Sequence, residues 1–310
     1  MAHRSQASLP FPPSPDPRIF PGAQQLAYRI GGITFGLSGE GGLRLALERE
    51  LSAFAVEAHS CEVNLRVAWA DSLEQPRSQP LFHSGGLWSL FAESGGYRFS
   101  FLAPMVGTTP YKEAWFDPEF RSGRVLLSRR YFDEDRPAYP LEYPLDELLM
   151  IHRLSCGEGV EVHAVGIADE KQQGHLFLGH SGAGKSTTAR LWMGRPGIRI
   201  LSDDRIILRA NKGKIWMYGT PWHGDAGVAS PECAPLTGIY LLEKGKNNEK
   251  ASMPKGRAAA ELFARSFVTH HSERGIRATL DFLDRIATQV PCSVFRFVPD
   301  ETAVEAICRG

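Results

Sequence analysis

The stretch GHSGAGKSTT (179–188) limits the possible fold more than any other part of the chain. Gly179, Gly184, Lys185 and Ser186 match the spacing G-x-x-x-x-G-K-[ST]. A glycine-rich backbone can turn several N–H groups toward one concavity, and a following helix adds its positive end. Together they form a cradle for phosphate oxygens, in which Lys185 is expected on the β- and γ-phosphates and the Ser186 hydroxyl on Mg²⁺. Such a loop works between a strand and a helix. The apolar HLFL (175–178) precedes it, and KSTTARLWM (185–193), stopped by Gly194 and Pro196, follows. A second glycine cluster, GLSGEGG (36–42), lacks the Lys-Ser pair and reads as a turn.

A length of 310 residues allows two domains. Lys and Arg number 35, as do Asp and Glu, and the zero formal net charge argues against a nucleic-acid partner held through its phosphates. No apolar run approaches a membrane span, so no membrane association is expected. The five cysteines, at 61, 156, 233, 292 and 308, form no C-x-x-C pair and read as reduced thiols of a cytoplasmic protein. Residues 1–22 are Pro-rich without the apolar core of a signal peptide, and read as a flexible tail.

Residues 23–143 read as a β-rich domain. EVNLRVAW (62–69) alternates apolar and polar residues, as a half-buried strand does. LWSLFAESGGYRFSFLA (87–103) reads as two strands around a Ser-Gly-Gly turn, and RVLLSRRYF (124–132) as another strand. His59 and His83 stand alone. From 144 to 310 a nucleotide-binding domain is expected. It opens with a helix, PLDELLMIHRLSC (144–156), in which Leu145, Leu148, Leu149 and His152 share a side. Strands follow at VEVHAVGIA (160–168), IRILSDD (198–204), RIILR (205–209), KIWMYG (214–219), GIYLL (238–242) and SVFRFVP (293–299), with a charged surface loop over 243–250. ERGIRATLDFLDRIATQV (273–290) aligns Ile276, Leu280, Leu283 and Ala287 as a helical face, and 300–307 forms a short helix capped by Asp300.

Asp203 and Asp204 end the strand that follows the loop and helix. Carboxylates at a strand end beside such a loop suit a metal–phosphate site: one can hold Mg²⁺ and the other can accept a proton from an attacking hydroxyl. No L-S-G-G-Q or N-K-x-D motif is present; ANKG (210–213) lacks the final Asp.

Residues 155–242 resemble the C-terminal domain of HPr kinase/phosphorylase, of the phosphoenolpyruvate-carboxykinase-like P-loop proteins. The loop is similar to that family's Gly-x-Ser-Gly-x-Gly-Lys-Ser, including Ser181 and Gly182, and LSDD (201–204) to its acidic pair. His163 stands where the family has a catalytic histidine, and YGTPW (218–222) where it has a Gly-x-Pro segment. The β-rich first half resembles the front domain of HPr-kinase-related bacterial proteins of unassigned substrate. The resemblance implies an α/β fold, a P-loop core with a mixed sheet preceded by a smaller β-rich domain. It implies ATP and Mg²⁺ bound by Gly179, Ser181, Gly182, Ala183, Gly184, Lys185, Ser186 and Thr187, and phosphoryl transfer to a hydroxyl. Asp203 and Asp204 would take base and metal duties, Asp203 as base and Asp204 beside Ser186 on the metal, with His163 supporting the base. The family's Glu-Ile-Arg-Gly-Leu-Gly-Ile signature is missing; CAPLTGIYLL (233–242) takes its place, which leaves the HPr substrate in doubt.

The expected function is therefore an ATP-dependent kinase acting on an unidentified hydroxyl-bearing substrate, a small molecule or a peptide, and a homo-oligomer is compatible with it. Two alternatives stay open: a nucleotide-binding regulator without turnover, and a carboxykinase-like phosphoryl transfer to an enolate.

Overall fold

The computed structural model describes residues 22–57, 59–103 and 107–308. The expected tail, 1–22, lies outside them but for Gly22. The chain is mixed α/β, built on two mixed sheets. The first comprises β1 (Gln25–Ile30), β2 (Ile33–Gly39), β3 (Val63–Ala70), β4 (Phe82–His83), β5 (Trp88–Glu93), β6 (Gly96–Phe101), β7 (Lys112–Phe116) and β8 (Ser122–Ser128). Their spatial order is β1-β2-β3-β8-β7-β6-β5-β4. The alternation in β3 is realised: Val63, Leu65 and Val67 are buried, while Asn64 and Arg66 face water. The strand expected over 124–132 lies at Ser122–Ser128 instead, because the backbone turns at 129–132.

Helix α1 (Leu145–Leu154) comes next, then β9 (Val160–Ala168), β10 (Gly174–Leu178), α2 (Lys185–Trp192), β11 (Arg199–Ser202), β12 (Arg205–Asn211), β13 (Lys214–Tyr218) and β14 (Cys233–Lys244). The chain ends with β15 (Glu249–Ser252), α3 (Lys255–Phe263), β16 (Ser266–Phe267), α4 (Glu273–Gln289), β17 (Cys292–Phe297) and α5 (Thr302–Cys308). Of the charged segment expected as a loop over 243–250, only 245–248 lie between the strands; 243–244 belong to β14 and 249–250 to β15. In α4 the buried face is Gly275, Thr279, Phe282, Leu283, Ile286 and Ala287. Leu280, expected on that face, is 46% exposed. The bulk of Phe282 and Ile286, four residues apart, turns the stripe away from it.

Strand β9 organises the second sheet. Its second half pairs with β10 on one side and β11 on the other. Its first half pairs with β12 and with β16. Strand β14 joins β13 antiparallel at its start and β10 parallel further on, so the pairings β10-β9-β12-β13-β14-β10 close a ring.

The first core is not confined to the first half. Leu145, Leu149, Met150 and Leu154 of α1 and Ile207 of β12 belong to it. The sequence places α1 at the start of the second domain, but its apolar face is spent on the first. On the same helix Asp146 is buried and accepts a hydrogen bond from Trp222 Nε1 at 2.9 Å. Burial pushes its pKa up to about 7 against the pull of that bond. The folded state then keeps a proton that the unfolded chain has released. This contribution is full below about pH 4 and is lost as pH rises to about 7. Asp146→Asn is expected to flatten the wild-type difference in urea stability between pH 5 and 8, by about 3 kcal/mol at most. An unchanged pH dependence in the variant would contradict this. Glu48, also pushed up to about 7 by burial, leaves a residual slope of the same sign.

Candidate functional site

The sequence brings the glycine loop and the acidic pair to the same point of β9. Strand β10 ends at Leu178 opposite Ala164, and the loop starts there. On the other side of β9 the break between β11 and β12 falls at Asp203 and Asp204, with Arg205 opposite His163. The Ala164 amide donates to the Asp204 carbonyl at 3.0 Å, which fixes that break.

The loop needs its glycines. Gly182 and Gly184 have φ of 78° and 107°, a region that L side chains avoid, and a Cβ on Gly184 would lie 2.7 Å from Phe297 Cζ. Ala183 is buried, while Ser181 is exposed and Ser186 and Thr187 are half-buried at the start of α2. Lys185 folds its ammonium back on the loop, donating to the Gly179 carbonyl at 2.9 Å and to that of His180 at 3.4 Å. Burial holds its pKa below the ordinary lysine value, and the charge of Asp204 opposes that shift. Lysine and carboxylate thus influence each other's charge, while the ammonium itself is held by the loop carbonyls. Among the described residues, no three His, Cys, Asp or Glu side chains gather as a metal-holding group.

The two aspartates have different surroundings. Asp203 is 3% exposed, and both of its oxygens are occupied. They accept backbone amides from Gly224 at 3.0 Å, Ala226 at 2.8 Å and Val228 at 3.4 Å. Asp203 is therefore the peg on which the loop 219–228 hangs, a placement at odds with its expected duty as base. Asp204 is half-exposed, with His163 Nε2 2.9 Å from its Oδ1 and Arg205 bonded to its Oδ2. Burial alone would raise its pKa. The His163 hydrogen bond and the charges of Arg205, His163 and Lys185 outweigh burial and hold the carboxyl below its ordinary value. His163, expected to support Asp203, supports Asp204.

Arg205 is more deeply involved than its sequence position suggests. Its Nε lies 2.7 Å from Glu147 of α1 and 3.6 Å from Glu161 of β9, and its guanidinium stacks 4.3 Å from the Phe267 ring centre. Glu161 is fully buried and neither carboxyl oxygen has a hydrogen-bond partner. Burial, reinforced by Glu147, drives its pKa well above the usual carboxylate range. A signal for it was present: in VEVH (160–163) alternation puts Glu161 and His163 on one face. Glu147 carried no such signal, because only the tertiary placement of α1 brings it here.

The segment 219–228 is a packed connector. Thr220 Oγ1 donates to the Arg205 carbonyl at 2.7 Å, Ser202 Oγ to the Trp222 carbonyl at 3.2 Å, and Trp222 packs against the first core. His223 and Asp225 point to solvent.

No family model matches the chain, and no curated protein is found to be similar to it. Among solved structures, the Hpr(Ser) kinase/phosphatase from Coxiella burnetii is similar at 15% sequence identity. The match covers 48% of this chain and 93% of that one, at a TM-score of 0.29. Among the described residues no helix is long and apolar enough to cross a membrane.

Proposed function

We propose that this chain is an ATP-dependent phosphotransferase acting on a hydroxyl of its substrate. The observation that carries the reading is the convergence on β9 of the Lys185 loop from one side and the Asp204–His163 pair from the other. Bound ATP–Mg²⁺ would supply the electrophilic γ-phosphoryl group. The loop suits a triphosphate, since positive φ at Gly182 and Gly184 turns its backbone inward and leaves no room for a Cβ at 184. The amides of residues 181–187 and the Lys185 ammonium would bind phosphate oxygens. The Ser186 hydroxyl would be the protein's metal ligand, and the sparse set of nearby carboxylates agrees with a Mg²⁺ held mainly by phosphate and water. Asp204, ionised at neutral pH and aligned by His163, is placed to take the proton of an acceptor hydroxyl. Asp203 would hold the connector that walls the site. Positioning and charge neutralisation account for most of such a reaction.

The test is transfer of label from γ-labelled ATP into a cell extract, comparing the wild type with Asp204→Asn. A labelled acceptor that appears only with the wild type supports the reading. ATP binding without transfer to any acceptor supports a nucleotide-binding regulator instead.

HPr is not the expected acceptor. The family's arginine signature is missing from 233–242, which is β14 here, and Arg205 is committed to Glu147 and Asp204. A positioned arginine is worth roughly 10³-fold or more in related transfers. Purified protein with ATP–Mg²⁺ should leave HPr unlabelled, and labelling at about one per second would overturn this.

A further inference from the structure

Beside the site lies a carboxyl that the phosphotransferase reading leaves without a task. Glu161 is fully buried. In the sheet it stands between Ile207 of β12 and Phe267 of β16, whose side chains offer its oxygens no donor. The cation it faces is Arg205, with Nε 3.6 Å from Glu161 Oε1, beyond hydrogen-bond reach. That N–H is already given to Glu147 at 2.7 Å. Neither oxygen of Glu161 has a hydrogen-bond partner among the described residues. An ionised carboxylate in this place would be a buried charge with no donor to replace water, an arrangement that folded chains avoid.

The surrounding charges point the same way. Glu147 and Asp204 are both bonded to Arg205, so the guanidinium already serves two anions. A third carboxylate would leave two negative charges uncompensated. Asp146 of α1 and Tyr143 before it, the other ionisable groups that interact with Glu161, bring no positive charge. Glu161 and Glu147 lie close enough to bond once one of them carries a proton. As two carboxylates they repel, and one proton between them turns the repulsion into a hydrogen bond. Their partners decide which one keeps it. Glu147 accepts from Arg205, which favours its ionised form, whereas Glu161 accepts from nothing.

We propose that Glu161 is held as the neutral acid and donates its proton to Glu147, so that the pair presents one negative charge to Arg205 and leaves the guanidinium bonded to Asp204. An ionised Glu161 would draw Arg205 inward, and so would a Glu147 deprived of its second donor, each at the expense of the bond to Asp204. Glu161 is therefore a positioning residue that acts on Asp204 through Arg205. Its effect on transfer rests on the phosphotransferase reading; the shared proton does not.

The full-length protein is compared with Glu161→Gln, which keeps a neutral donor, and with Glu161→Met, which keeps most of the bulk and has none. At about pH 9 the infrared spectrum of the wild type is expected to show an acid carbonyl band that Glu161→Gln lacks. Asp146 and Glu48, pushed up to about 7, are ionised there. The Nε–H of Arg205 should exchange with water at the same rate, within about twofold, in the wild type and Glu161→Gln, and about tenfold faster in Glu161→Met. Transfer of labelled phosphate should stay within about twofold in Glu161→Gln and fall about tenfold in Glu161→Met, at an unchanged KM for ATP. The proposal is overturned if Glu161→Gln loses no acid band, if the Arg205 Nε–H exchanges alike in all three proteins, or if Glu161→Met transfers as well as Glu161→Gln. The first two readouts need no phosphoryl transfer, so a wild type that transfers nothing overturns the phosphotransferase reading and leaves the shared proton to them. Should Glu161→Met fail to fold, the infrared comparison decides.

Discussion

Asp204→Asn is expected to lower phosphoryl transfer by roughly 10³-fold or more while leaving the melting temperature within a few degrees of the wild type. Asn at this position keeps the size and can still accept from His163, but it cannot take a proton or carry the charge that faces Lys185. Asp203→Asn should fail differently. Its carboxylate accepts three amides of the connector, and an amide side chain offers one oxygen where two are used. Its NH₂ group would meet an amide donor. A loss of about 2–3 kcal/mol and a melting point lower by several degrees are expected, together with a connector open to protease between 219 and 228. The pair of variants is read by calorimetric melting and by transfer of labelled phosphate. If Asp203→Asn melts normally and is inactive while Asp204→Asn retains transfer, the roles return to those expected from the sequence.

The second large effect is on nucleotide affinity. Lys185→Ala should weaken ATP–Mg²⁺ binding by roughly 100-fold or more, since in the proposed reading it removes the charge that would meet the β- and γ-phosphates. Stability should hardly change. Lys185 is only 8% exposed, but its ammonium contacts loop carbonyls and carries a burial penalty that the variant relieves. Titration calorimetry of ATP in the presence of Mg²⁺, with a melting curve of the same sample, measures both. Unchanged affinity in a folded variant would end the phosphate-cradle reading.

How much of this was legible beforehand depended on how local the determining physics was. The glycine loop, the strand before it and the helix after it are written within twenty residues, and β10 and α2 lie where HLFL and KSTTARLWM indicated. Strand β3 was equally plain, because period-two burial needs no distant partner. The division of labour between Asp203 and Asp204 was not legible. Both fall in the break between β11 and β12, and nothing in LSDD says which of them receives the amides of 224–228. Arg205 reads as the start of a strand; its tie to Glu147 exists only because α1, packed on the first core, brings that acid beside β12. The face of α4 is set by the bulk of Phe282 and Ile286, which apolar spacing alone does not express. Helix α3, with three alanines in KGRAAAELF, offered too little apolar periodicity to be noticed.

The double attachment of α1, by its apolar face to the first core and by Glu147 to Arg205, constrains how such a chain can be inherited. One face of the helix supplies Leu145, Leu149 and Met150 to the first core, and Glu147 on the same ten residues grips the arginine beside Asp204. A recombination joint placed at the apparent boundary near 144 would leave one parent's core without its lid and give the other a helix with nothing to cover. A joint after 154 would detach the acid that steadies Arg205. Exchange of the front half for an unrelated one therefore demands matched changes on both sides of the joint, and descent of the two halves as a single unit is the simpler course.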